Sequence, residues 1–163
     1  MKTQRVSALT KAHQAERAYV ATCIRNPDKG SAFDLKTRWF RNWLPDWVLL
    51  VLMNLMGYDG LLFHNDAGEF IGHVFFQKEQ QIWKVFSVYV PEKFRGNGYS
   101  IQLIACFMQL AIDNDDIFMV RLGNGNNAAI HHIWENKIPS IQALLKVSIT
   151  KGNQKGAIFI CRE

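Results

Sequence analysis

The residues best suited to chemistry stand at positions 88–100, VYVPEKFRGNGYS, where an extended apolar run meets an arginine and two glycines just ahead of a long apolar stretch. A strand that runs through such a turn into a helix makes an anion cradle. The first N–H groups of a helix have no partner inside it, and the aligned peptide dipoles leave partial positive charge there. Gly96 and Gly98 give the backbone the freedom to turn, Asn97 suits the turn, and Arg95 adds a cation that is charged at every physiological pH. The chemistry implied is the binding of a phosphate or pyrophosphate.

The flanking residues decide which phosphate loop this is. A dinucleotide-binding fingerprint needs a third glycine where Ile101 stands, and a Walker loop needs Gly-Lys-Ser/Thr where Gly98-Tyr99-Ser100 stands. The remaining pattern, R-G-x-G-x-S after V-x-V-P-E, resembles the coenzyme A signature of the GCN5-related N-acetyltransferases, Arg/Gln-x-x-Gly-x-Gly/Ala, with Arg95, Gly98 and Ser100 in its three positions. Ser100 departs from the family's usual Gly/Ala. A second local match lies in MVRLGNGNNAAIHHIWEN, where Asn126, Ala129 and Ile130 resemble the family's N-x-x-A-I motif after its fifth strand.

The elements that must position these residues follow from periodicity. Ala12, Ala15, Tyr19 and Cys23 recur at helical spacing and predict a helix over 7–25. A second helical region carries Trp39, Trp43 and Trp47 at i, i+4, i+8, with Asp34 as its cap, and Pro45 must break or restart it. From Gly60 the period becomes two: strands at 61–65 and 70–77 join around Asp66-Ala67-Gly68, and 82–90, apolar on both faces, reads as an interior strand. A helix over 99–113 with one wet stripe through Gln102 and Gln109, a strand at 117–122, a short helix at 126–135 and a closing hairpin of 144–150 with 157–161 complete the order.

That order resembles the same acetyltransferase family over residues 60–163, with weaker coverage of the first 59, where Lys2 to Val6 is the one segment able to supply the family's first strand. The resemblance implies a single α/β (α+β) domain over 1–163, with a mixed, mostly antiparallel central sheet, flanking helices and a splayed cofactor cleft. Residues 1–59 would form a helical cap region and 60–163 the sheet and coenzyme A-binding core. It also implies an acyl-CoA cosubstrate, acetyl-CoA by default, whose pantetheine pairs with Val88, Tyr89 and Val90 and approaches Asn126. The pyrophosphate would lie on Arg95, Gly96, Asn97, Gly98, Tyr99 and Ser100.

The chemistry that follows is attack of an amine on a thioester, with an amine or peptide as acceptor. The family's usual acid, a tyrosine about seven residues past the motif asparagine, is absent: counting from Asn126 or Asn127 reaches Ile133 or Trp134, and neither carries an acidic proton. His132 on the motif helix and Tyr89 on the cofactor strand are the preferred substitutes. His131 and Ser87 are further candidates for the acid, and His73 on the middle strand is a candidate base. Each also has a plain reading as a packed or surface residue.

Composition narrows the class. At 163 residues and 48% hydrophobic content the chain can bury a full core. Cys23, Cys106 and Cys161 are odd in number and lack metal or disulfide spacing, which suits a reducing cytoplasm and no metal. No apolar run approaches the length of a transmembrane span. The net charge of +5 is confined to residues 1–46, with nine Lys/Arg against four Asp/Glu, while 47–163 hold ten of each. This basic part is either a solvated face or a surface for an anionic partner, of which an acidic acyl carrier protein fits the chemistry better than nucleic acid. A second copy of the chain is a further candidate partner. The tryptophan stripe with WVLLVLMNLM reads as core packing or as the wall of a pocket for a longer, fatty acyl chain.

Overall fold

A computed structural model of the chain describes residues 1–6, 14–25, 42–113, 117–121, 136–151 and 158–162. Seven strands, β1 (Lys2–Val6), β2 (Tyr58–His64), β3 (Phe70–Glu79), β4 (Ile82–Tyr89), β5 (Ile117–Arg121), β6 (Ser148–Lys151) and β7 (Ile158–Arg162), form one sheet in the order β1-β2-β3-β4-β5-β7-β6. Every neighbouring pair is antiparallel except β4 with β5. A parallel pair needs a crossover. Helix α3 (Tyr99–Asp113) supplies it, with the bounds its apolar periodicity predicts.

The sheet is covered on both faces. On one side α3 buries Leu103, Ile104, Phe107 and Met108 against Phe63, Ile71, Val74, Phe76, Val85 and Val88. On the other, α1 (Gln14–Arg25) and α2 (Asp46–Leu55) close a smaller cluster of Val20, Cys23, Ile24, Leu50 and Met53 over Leu62 and Phe75. The predicted interior strand is confirmed: β4 lies between β3 and β5 at the centre of the sheet. Among the described residues no helix is long and apolar enough to cross a membrane.

Three expectations are corrected. Residues 1–59 are more than a helical cap, because β1 pairs along β2 as the sheet's edge, and β2 itself starts at Tyr58. The stretch 144–150 is not one strand: α4 (Ile138–Leu145), with a proline in its first turn, takes Leu144 and Leu145. It ends at Lys146 in the left-handed conformation before β6 begins. Third, the tryptophan stripe is not core. Pro45 restarts the helix, its carbonyl accepting the N–H of Val48 and Leu49, and Leu49, Leu50 and Met53 turn inward. Helical geometry then turns Trp47 away from the sheet, and Trp43 and Trp47 are 83% and 68% exposed. Leu49, Leu50 and Met53 thus belong to the core, while Trp43 and Trp47 lie at the surface. Trp39 and Asp34 lie outside the described residues.

One glycine of β3 is dictated by packing. A Cβ on Gly72 would come within 2.4 Å of the carbonyl oxygen of Tyr89 and 2.7 Å of a methyl of Leu103. Neither the strand nor the crossover helix can yield cheaply, because both belong to the main core. Gly72→Ala is expected to destabilise the fold by about 3 kcal/mol, read as a fall in the urea midpoint at unchanged m-value.

Candidate active site

The site grows from a defect in the sheet. Among the described residues β4 pairs with β5 from Ile82 opposite Ile117 to Val85 opposite Val120. At the same point the β3–β4 register slips by one residue, with Phe75 opposite Ser87 and Phe76 opposite Val85, so that Phe86 bulges. A bulge bends its strand and raises its twist. Beyond it Ser87, Val88 and Tyr89 remain bonded to β3, but on their other edge no strand among the described residues takes their backbone groups.

Just past this free edge comes the glycine turn. A single 3₁₀ turn (Glu92–Phe94) follows Pro91, closed by the Phe94 N–H on the Pro91 carbonyl and the Arg95 N–H on the Glu92 carbonyl. Gly96 and Gly98 hold φ of +83° and +74°, values that side chains with a Cβ adopt only at a cost. The Gly98 carbonyl accepts the N–H of Ile101 and Gln102, opening α3. The N–H groups of Gly96, Asn97, Gly98, Tyr99 and Ser100 donate to no main-chain carbonyl among the described residues. A Cβ on either glycine would meet nothing within 4 Å, so the space beside these amides is open.

Side chains fix the turn rather than fill it. Arg95 donates from Nε to the Val90 carbonyl at 3.1 Å, tying the turn to the end of β4, and Asn97 donates to the Phe94 carbonyl. Lys93 bonds Glu69 at 3.2 Å, linking the turn to the β2–β3 hairpin. Of the residues proposed for the anion, Arg95 thus has its own N–H and its Nε engaged within the protein. The other five keep their amides.

A polar chain crosses the core below Tyr89. His73, fully buried on β3, is hydrogen-bonded through Nδ1 to the Tyr19 hydroxyl at 3.0 Å and through Nε2 to Ser87 Oγ at 3.4 Å. Its ring stacks on Phe75 at 4.0 Å and on Tyr89 at 5.4 Å between centroids. A neutral imidazole donates from one nitrogen and accepts at the other, so the chain Tyr19–His73–Ser87 is satisfied in either direction. Burial pushes the His73 pKa down to about 3. Burial also raises the Tyr19 hydroxyl, with Cys23 and Tyr89 adding to the effect. With such weak basicity His73 stays neutral at pH 7.

Tyr89 is the half-buried member of this group, set at the cleft end of β4. Ser87 is fully buried beneath it. Asn126, His131 and His132 lie outside the described residues. Tyr19 was read only as part of a helical stripe. The signal for it was a phenol on a buried face together with a histidine in an apolar strand, two groups that each require a partner. Among the described residues no cluster of three or more His, Cys, Asp or Glu could hold a metal.

Comparison with known proteins agrees with this geometry. Residues 24–133, about two thirds of the chain, match the sequence model of the Acetyltransferase (GNAT) family. The sequence matches no curated protein. Among solved structures, PaiA N-acetyltransferase from Thermoplasma acidophilum, in complex with coenzyme A, superposes with a TM-score of 0.55 at 11% identity, over 99% of this chain and 98% of that one. Tetrahymena GCN5 gives 0.54 at 12% identity over 99% and 95%. An aminoglycoside acetyltransferase from an uncultured soil metagenomic sample gives 0.55 at 16% identity over 84% and 89%. At these identities the likeness is one of fold.

The buried imidazole makes stability depend on pH. Unfolded His73 takes up a proton near pH 6.5, and folded His73 only near pH 3. Between these values the unfolded chain binds more protons, so its contribution is complete above pH 6.5 and is lost as the pH falls toward 3. About 2 kcal/mol should be gone by pH 5. Thermal melting at pH 7.5 and pH 5 checks this, and His73→Gln should show a shallower pH slope than the parent.

Proposed function

The chain belongs to the Acetyltransferase (GNAT) family and is an acyl-CoA-dependent N-acyltransferase; on that premise we propose that it transfers an acetyl group from acetyl-CoA to a primary amine by direct attack in a ternary complex. The observation that carries this reading is the edge of β4 at Ser87–Tyr89 that no described strand takes, beside the five amides of Gly96–Ser100 that donate to no main-chain carbonyl among the described residues. Pantetheine is an extended chain of amides, and an unpaired strand edge receives it as it would another strand. A pyrophosphate fits amides that face open space at a helix start. PaiA N-acetyltransferase, which shares the fold, holds coenzyme A in its structure.

Acetyl is the donor favoured by the apolar residues. Leu49, Leu50 and Met53 are consumed by the core and Trp43 and Trp47 face out, so among the described residues they build no enclosed wall for a long chain.

The reaction asks four things of the protein. The amine must be neutral, and with a pKa near about 10.4 it loses its proton to water before attack. Its lone pair then adds to the thioester carbonyl carbon. A backbone N–H on the free edge of β4 donates to the developing oxyanion. The C–S bond breaks, and the thiolate takes the proton of the Tyr89 hydroxyl, which water or the released amine proton restores. In this reading His73 and Tyr19 act through Tyr89: the His73 ring, tied to α1 by the Tyr19 hydroxyl, stacks on the Tyr89 ring at 5.4 Å and limits how it turns.

Coenzyme A should raise the melting temperature, with stabilisation of about 2.7 kcal/mol at a hundredfold excess over Kd. Gly98→Val should lower the melting temperature of the free protein, since φ there is +74°, and should also erase the shift with ligand. An unmoved melting curve, or a Gly98→Val variant that responds like the parent, defeats the placement of the pyrophosphate.

Release of free thiol from acetyl-CoA in the presence of amines tests turnover. Its rate should rise with pH as the amine deprotonates. Tyr89→Phe, which keeps the stack and removes the proton, should lower kcat by about 10²-fold or more with little change in KM. A loss below about fivefold would assign the thiolate's proton to water. Release from no donor with any amine would leave a coenzyme A-binding module without catalysis.

A further inference from the structure

The surface of α2 presents the wrong chemistry for a helix in water. Leu49, Leu50 and Met53 serve the core, and the opposite face would ordinarily be polar. Instead Trp47, Val51 and Leu55 follow one another at i, i+4, i+8, flanked by Leu52 and Met56, and Trp43 continues the row before Pro45. Leu55 is 77% exposed, close to the values for the two tryptophans. Together they make a contiguous apolar patch rather than the scattered single side chains that need no account.

We infer that this face of α2 docks onto an anionic lipid surface. Two observations select that occupant. The first is charge: all of the chain's net +5 resides in residues 1–46, and Lys36, Arg38 and Arg41 stand in the sequence immediately before Trp43. A two-fold dimer would bring two copies of the same net-positive chain together, because such interfaces join identical patches. An anionic surface is attracted by the same charge.

The second is the lack of hydrogen-bonding groups. A protein interface of ordinary size carries about one hydrogen bond per 100–200 Å². Between Trp47 and Met56 the only polar side chain is Asn54, which is half-buried, and the helix's one charge, Asp46, is paired with Arg25 at 2.6 Å. A face that can offer contact area but no directed bonds suits a fluid apolar medium. Tryptophan, with an apolar ring and one N–H, is the side chain that favours the boundary between headgroups and acyl chains. The helix would lie in that boundary with its axis along the surface, as interfacial amphipathic helices do.

Co-sedimentation with phosphatidylcholine vesicles, with and without phosphatidylglycerol, tests this on the full chain. Binding is expected to the anionic vesicles, weaker as salt is raised, and reduced at least about tenfold in a Trp47→Ser, Leu55→Ser double variant. These side chains are exposed, so the variant's melting temperature should match the parent's, which separates lost docking from lost fold. The inference is overturned if neither vesicle binds. It is also overturned if sedimentation equilibrium shows a dimer that the double variant abolishes, or if an acidic acyl carrier protein, and not vesicles, binds the patch. Because vesicle binding needs no acyl donor, its outcome is independent of transferase activity.

Discussion

The bulge at Phe86, where β4 slips against β3 just after its last described pair with β5, is the constraint on which the rest depends. A bulge bends its strand and redirects the backbone groups beyond it, each of which needs a partner. Among the described residues β4 pairs with β5 over four residue pairs, and no described strand takes the far edge of Ser87–Tyr89. In the proposed reading coenzyme A's pantetheine, with alternating amides on an extended chain, bonds that edge as a strand would. The glycine turn and α3 follow directly from the end of the same strand, so one irregularity accounts for the position of both halves of the proposed donor site.

The two faces of the sheet divide the work. The α3 face carries the larger, apolar cluster, from Phe63 on β2 to Ile141 on α4. The α1–α2 face is smaller and holds the Tyr19–His73–Ser87 chain, whose members would each be costly to bury alone. Paired, they fix the register of α1 on β3 and β4 at one point, where apolar contacts alone would let the helix settle in several positions. The more stable face supports the turn; the more specific one supports Tyr89.

How much of this was legible in the sequence varied with the kind of signal. Helix α3, the interior strand β4 and the hairpin at Asp66-Ala67-Gly68 were readable because local periodicity and turn chemistry agree there with the tertiary environment. The glycine turn was readable for the same reason. Helix α4 was not, because eight residues offer barely two turns of pattern, and Leu144 and Leu145 run apolar into β6 as a strand would. The orientation of the tryptophans was not legible either. A helix apolar on every side gives periodicity no means of telling which face meets the sheet, and Leu49, Leu50 and Met53 decided it. The Tyr19–His73 contact joins residues 54 apart, and nothing in either local segment announces the other.

The neutrality of His73 bears on how a site without the family's usual tyrosine can still work. An imidazolium at that position would put positive charge in the core beside the Tyr89 ring and, donating from both nitrogens, would have no acceptor to offer Tyr19 or Ser87. Burial prevents this: with a pKa near 3 the ring is uncharged wherever an amine acceptor has any appreciable neutral fraction. The pH range in which the fold keeps its full stability therefore includes the range in which the nucleophile is available. What His73 supplies is a flat, uncharged partner for Tyr89 and a fixed link to α1. In the proposed mechanism proton transfer itself falls to the Tyr89 hydroxyl and to water, a division that thiolate, as a good leaving group, permits.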